Sequence, residues 1–300
     1  MIRWRTLACA GLLLTAPAAA MAFEGTLKLR TVSVDRSALN KTNGGKALDL
    51  DQTLALTPDK LLASKDLDAQ DRESMVYVSG TKVRMDTPME RSKDSFAIID
   101  TEKSLTWFVV PSEKRYIEWS EDDAKAMGEK MAQVEKMMKE RMDSLPPEQR
   151  AQVAAMLKNM KGGADGEAPP KVELKPFGKP QTINGMPSTG YQVKTGDETM
   201  VGWVTQEQPD LSKLLRTVQE RMEKMTPPSM RGRQSARTAL GEKGFPVMMQ
   251  TVDPDHYRVE EVTAVEKKAV PADMFVIPKD FTKTTGREAM NKIPDTLPEK

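Results

Sequence analysis

The chain has 300 residues, with 45 Lys and Arg against 44 Asp and Glu, a net charge of +1 and 38% hydrophobic residues. A balance so close to zero excludes a nucleic-acid binder, or a protein of strongly anionic membranes, that works by bulk charge. With one histidine and one cysteine, a disulfide framework, a histidine-based triad and a multi-histidine zinc site are excluded as well.

Residues 1–22 read as a cleavable secretory signal. Arg3 and Arg5 lie in a short amino-terminal region, residues 7–20 carry no charge, and Ala20-Met21-Ala22 offers the small-x-small pattern for a cut after Ala22. The apolar run is too short to span a bilayer as a helix, and Cys9 stands too early in it for lipidation. The expectation is a periplasmic protein that begins near Phe23, with no cysteine and no transmembrane segment. Removing the signal takes two arginines and no acid, leaving one more acid than base.

From Phe23 to Asp35 the residues alternate as in a strand with one wet face. Residues 37–73 read as a polar insertion, with Asn43-Gly44-Gly45 as a loop and a short helix over 58–64. Strands are predicted over 74–79, 82–86, 95–100, 105–110 and 115–119. Gly80-Thr81 joins the first two as a hairpin, and short loops make the rest an antiparallel meander.

The period then changes to that of a helix. Met127, Met131, Val134, Met138 and Met142 form one stripe over 121–143. Ser120 followed by Glu121, Asp122 and Asp123 is a good helix start: a capping hydroxyl, then acids in the first turn. A second helix from Ser144 to about Met160 completes a helical hairpin over 120–160, and residues 161–170 read as a flexible linker.

Strands resume over 171–176, 180–183, 188–195 and 199–205, with Asn184-Gly185 and Gly196-Asp197 at turns. A helix over 209–225 carries Leu211, Leu214, Leu215, Val218 and Met222. Arg231, Arg233 and Arg237 read as a basic loop, either solvated or meeting a lipid headgroup or an acidic partner. Strands over 245–252, 257–266 and 274–278 close the domain, and residues 286–300 read as a charged tail. About eleven strands with three or four helices, in one unit over 23–285, give an α+β fold built on an antiparallel sheet.

No phosphate-cradling glycine loop or nucleophile elbow is present in the sequence, and no carboxylate pair stands apart from the many others. The expectation is therefore no enzyme, no cofactor and no metal. Asp253-Pro254-Asp255-His256 reads first as a turn and second as a weak metal site. The 21 methionines allow three readings: core packing, a pliable surface for an apolar ligand, or copper(I) handling.

Several segments, in order, carry a resemblance. They are Tyr77-Val-Ser-Gly-Thr-Lys-Val-Arg-Met-Asp86, Ile98-Ile-Asp100, Lys114-Arg-Tyr-Ile-Glu118, Ile183-Asn-Gly-Met-Pro-Ser-Thr-Gly-Tyr-Gln-Val193, Gly202-Trp-Val-Thr205 and Met274-Phe-Val-Ile-Pro-Lys-Asp-Phe281. The set resembles the DUF4412 family of exported bacterial proteins, which looks related to the outer-membrane lipoprotein carriers of the LolA/LppX type. The resemblance implies a strongly curved antiparallel sheet, an incomplete barrel, with helices covering its open side and an apolar cavity between.

The function it implies is a periplasmic, non-enzymatic carrier or binding protein for a lipid or acylated, lipoprotein-like ligand. Candidate cavity residues on the sheet are Leu27, Leu29, Val83, Met85, Leu105, Trp107, Val109 and Trp203. Met127, Met131, Met138 and Met142 are the candidates on the helical lid. Alternation leaves open which strand face points inward. A second similarity, of Leu145-Pro-Pro-Glu-Gln-Arg150 to the Leu-Thr-x-x-Gln motif of Spy-like periplasmic chaperones, supports an alternative. On that reading the protein is an envelope stress or interaction protein whose methionine-rich hairpin contacts other proteins.

Overall fold

The structure is a computed structural model that describes residues 23–86, 94–142, 150, 172–195, 198–225 and 231–291. The predicted signal, the second helix of the hairpin and the linker lie outside the described residues.

Alternating apolar residues and tight turns produce strands β1 (Gly25–Asp35), β2 (Gln70–Ser79), β3 (Lys82–Asp86), β4 (Phe96–Asp100), β5 (Leu105–Val110) and β6 (Arg115–Ser120). The second half adds β7 (Glu173–Ile183), β8 (Met186–Thr195), β9 (Glu198–Thr205), β10 (Phe245–Val252), β11 (His256–Lys267) and β12 (Thr282–Thr285). They make one twelve-stranded sheet in the order β12-β6-β5-β4-β3-β2-β1-β11-β10-β9-β8-β7. The sheet does not close on itself, so the fold is α+β around a curved, incomplete barrel. Its two halves meet at β1, which pairs antiparallel with β2 on one side and β11 on the other.

Two of the turn signals between strands hold, and the third, Gly196-Asp197, lies outside the described residues. Gly80 between β2 and β3, and Asn184 and Gly185 between β7 and β8, all take the positive φ that such turns require. Several segments differ from the sequence expectation. The basic loop is a helix, the predicted strand over 274–278 is not a strand but the end of a 3-10 turn, Ala272–Phe275, and irregular chain after it, and the strands over 171–176 and 180–183 merge into β7 with an irregular register between Phe177 and Gln181.

Residues 37–73 are less polar in effect than they read. Helices α1 (Arg36–Thr42), α2 (Leu50–Leu54) and α3 (Pro58–Ala63) lie there. Asp49 and Gln52 form a reciprocal capping box on α2, and the Thr57 hydroxyl caps α3. They bring Leu39, Leu61 and Leu67 into a core with Val32, Val34, Val252, Tyr257 and Val259. Arg30 on β1 ties α3 to the sheet, donating to Asp71 at 3.0 Å and to Asp59 at 3.3 Å.

The long helix α4 (Glu121–Met142) starts as the sequence predicts. The Asp123 amide donates to Ser120 Oγ at 3.2 Å, and Asp123 Oδ2 accepts the Ser120 amide at 3.0 Å. Helices α5 (Pro209–Lys224) and α6 (Arg231–Gly241) follow, and α7 (Gly286–Asn291) occupies part of the predicted tail.

Strand β12 is short and runs parallel to β6, so it depends on side chains for its place. Lys283 Nζ donates to Glu118 Oε1 at 2.6 Å, and Trp107 Nε1 donates to Glu118 Oε2 at 3.0 Å. Burial alone would raise the Glu118 carboxyl, but the bonds from Lys283 and Trp107 outweigh it and hold the group below its ordinary range. A lowered folded-state value means this contribution is full above the unfolded value and is lost as pH falls through the folded one. Acidification is therefore expected to raise amide exchange in β12, relative to the intrinsic rate at each pH, in the wild type. Glu118→Gln is expected to show that raised exchange already at neutral pH, read by hydrogen–deuterium exchange across a pH series.

Candidate functional site

Register assigns the strand faces. Leu27 pairs across Val76, Met85, Ala97, Phe108 and Ile117 from β1 to β6. By the same ladder Val78, Val83, Ile99, Thr106 and Trp119 share that face. Leu105, Trp107 and Val109 point to the opposite face, where Val109 joins Phe96, Ile98, Val270 and Phe275 in a separate core. The candidate residues on the sheet thus divide: Leu27, Leu29, Val83 and Met85 stand on one face, and Leu105, Trp107 and Val109 on the other. They do not line one cavity.

Helix α5 covers the face that carries Leu27 and Val83. Leu211 is buried in it, and Leu214, Leu215, Val218 and Met222 pack against the same cluster. Trp203 also belongs to this cluster, edge-on to Phe177 with ring centroids 6.1 Å apart. Gly190 makes room for it, since a Cβ there would lie 2.9 Å from the indole ring.

At the carboxyl end of α5 the packing is incomplete. A cavity of about 260 Å³ lies between β5, β6 and the end of the helix, lined by Thr106, Phe108, Trp119, Met222 and Met225. No charged side chain lines it. Thr106 Oγ1 donates to Met225 Sδ at 3.6 Å, and Trp119 Nε1 donates to the Met225 carbonyl at 3.2 Å, so both polar groups are directed into the structure. Beside the cavity, Arg221 on α5 and Glu121 at the start of α4 approach to 3.8 Å. The chemistry offered is soft and apolar: two thioethers and two aromatic rings around a closed pair of hydrogen bonds.

Trp119 is held in place from behind. A Cβ on Gly286 would lie 2.5 Å from its ring and 2.9 Å from Asp123. Asp123 Oδ1 accepts the Arg287 amide at 2.8 Å, so one carboxylate anchors α7 as well as the start of α4. Gly286→Ala is expected to cost about 1–3 kcal/mol through this overpacking. A lowered urea midpoint together with a shifted tryptophan emission maximum would report it, and an unchanged spectrum would speak against a fixed Trp119.

The helix predicted to cover the candidate face is not the one that packs over it. Met127 and Met131 sit half-buried on α4, and Met137 is 44% exposed there. The side chains of Met138 and Met142 lie outside the described residues. The methionines that meet the cavity are Met222 on α5 and Met225, the residue that caps its carboxyl end, and the sheet contributes Thr106, Phe108 and Trp119, none of them among the candidate residues. The available signal was the amphipathic 209–225 helix ending in two methionines.

Asp253, Asp255 and His256 form the predicted turn between β10 and β11, with their potential ligand atoms within 4.8 Å of one another. Asp253 Oδ1 accepts the amides of Asp255 and His256 at 2.9 and 2.7 Å, so it serves the turn. No helix among the described residues is long and apolar enough to cross a membrane.

The family model of a domain of unknown function, DUF4412, matches residues 101–281. No curated protein matches the chain. Among solved structures, PNGF-II in the P21 space group is 11% identical over 89% of this chain and 32% of its own, with a TM-score of 0.36. PNGF-II in the C2 space group is 12% identical over 87% of this chain and 31% of its own, with a TM-score of 0.32. This chain therefore spans less than two thirds of the solved structures it matches.

Proposed function

The chain belongs to the family defined by the DUF4412 domain, and from that premise we propose that it is a non-catalytic binding protein or carrier for a lipid or acylated ligand, working in the periplasm after loss of residues 1–22. The observation that carries this reading is the cavity between β5, β6 and α5, which presents Phe108, Trp119, Met222 and Met225 and no charge. Such a lining has little to offer a reacting group and much to offer an alkyl chain. Burial of the chain contributes about 0.8 kcal/mol per methylene. Methionines suit the roof because the unbranched thioether re-packs around chains of varied shape.

Delipidated protein is expected to bind a fluorescent fatty acid or a lipopeptide at micromolar concentration. Failure with both would remove the reading. Recovery from the periplasmic fraction of a chain whose mass begins at Phe23 would support the location, and a cytoplasmic full-length chain would contradict it.

A second reading, an envelope interaction protein, is favoured by α4, where Met137 is exposed on a helix that packs against β6 and α7. Suppression of client aggregation that disappears on changing Met131 and Met137 to serine is its test.

A further inference from the structure

We infer that the cavity beneath α5 accepts only the terminal part of an alkyl chain, about eight methylenes, and so grades ligands by the length of a medium chain while the head and the remainder stay outside. This rests on the cavity reading above and adds a size limit to it. The limit comes from volume. A methylene fills nearly the ~30 Å³ that a water takes in the liquid, and the space is about 260 Å³.

The walls that set the depth are fixed. Thr106 and Phe108 belong to β5, which is paired on both sides by β4 and β6. Trp119 is wedged between Gly286 and the Met225 carbonyl it bonds. Met225 is 5% exposed and engaged by the Thr106 hydroxyl. Met222 is half-buried, and its unbranched thioether chain can re-pack around a guest. The orientation follows from charge. Nothing in the lining pairs with an ionic head, so the methyl end enters and the head remains in water.

The test is calorimetric titration of the delipidated full-length mature protein with straight-chain carboxylates from six to fourteen carbons. Affinity is expected to rise about fourfold per methylene and to level off once about eight methylenes are buried. A rise that continues unchanged to fourteen carbons would overturn the size limit while leaving lipid binding intact. No binding at any length would overturn both the limit and the cavity reading.

Met222→Ala gives an independent check, since it removes three heavy atoms from a half-buried position. It is expected to move the break outward by roughly two or three methylenes, as the vacated space becomes part of the site. A break that stays in place in this variant would show that the cavity does not set the limit.

Discussion

Replacing Tyr257 by alanine is expected to cost about 3–5 kcal/mol of folding stability. The ring is fully buried at the centre of the core made by α1, α2, α3, β1, β10 and β11. Its hydroxyl accepts from Gln250 Nε2 at 2.8 Å and donates to the Leu56 carbonyl at 3.0 Å. Gln250 Nε2 also donates to the Leu54 carbonyl at 2.8 Å. The phenol is thus the polar hub that pins the α2–α3 connection to the sheet. Tyr257→Phe keeps the packing and removes the hub, for about 1–3 kcal/mol, because the Leu56 carbonyl loses its donor.

The same group predicts an alkaline signature. Burial pushes the phenol up to about 12, against a lowering contribution from the bond with Gln250, whereas the unfolded side chain titrates near 10.0. A raised folded-state value means the stability is full below the unfolded value and is lost as pH climbs from there towards about 12. Urea melts between pH 9 and about 12 are expected to show this loss in the wild type and a flatter profile in Tyr257→Phe. Equal slopes in the two proteins would contradict the assignment.

Leu240→Ala is expected to cost about 2–5 kcal/mol and to weaken ligand binding, although Leu240 does not touch the cavity. Leu240 is fully buried on α6, and its two methyl carbons stand 2.6 and 2.8 Å from where a Cβ on Gly202 would be. The helix therefore sits directly on the backbone of β9. Helix α6 in turn seats α5: Gln219 Nε2 donates to the Arg237 carbonyl at 3.3 Å, and Gly241 leaves no room for a side chain against Gln219. Arg237 adds a bond to Glu260 on β11 at 2.9 Å.

Loosening Leu240 should let α6 shift on its own face of β9 and, through the contacts of Arg237 and Gly241 with Gln219, disturb the end of α5 that precedes Met222 and Met225. A double-mutant cycle gives the geometric check. Gly202→Ala alone overpacks, but with Leu240→Ala the new methyl occupies vacated space. The double variant should then be more stable than the two single losses predict. Simple additivity would show that the two positions are not in contact.

Much of the sheet was legible because its signals are local. Gly80-Thr81 and Asn184-Gly185 specify turns by their backbone freedom, and alternation over residues 96–120 specifies strands whichever face is inward. Ser120 and Asp123 marked the start of α4 by cap chemistry alone. The faces were not legible. Trp107 and Phe108 are neighbours of similar character, and only the C-terminal segment around Phe275, far along the chain, makes one face an outer core.

The same holds for the helices. Residues 37–73 read as polar because Leu39, Leu61 and Leu67 are far apart in sequence and converge only when three short helices pack on β1 and β11. Arg231, Arg233 and Arg237 hid a helix whose buried residues are Ala236 and Leu240, a stripe too narrow to stand out. The methionine stripe on α4 drew the lid assignment, yet α5, whose apolar face is the more sharply one-sided of the two, is the helix over the sheet. The seat of α5 also involves Gln219 against Gly241 and the Arg237 carbonyl, contacts that no local period contains.

The central claim is that an alkyl chain enters beneath α5 rather than against α4. The most direct measurement is NMR of protein labelled with 13C at the methionine methyl groups, titrated with decanoate. Saturating shifts of Met222 and Met225, with Met127, Met131 and Met137 unmoved, are the predicted result. Shifts confined to the α4 methionines, with Met222 and Met225 unchanged, would contradict it and move the binding surface to that helix.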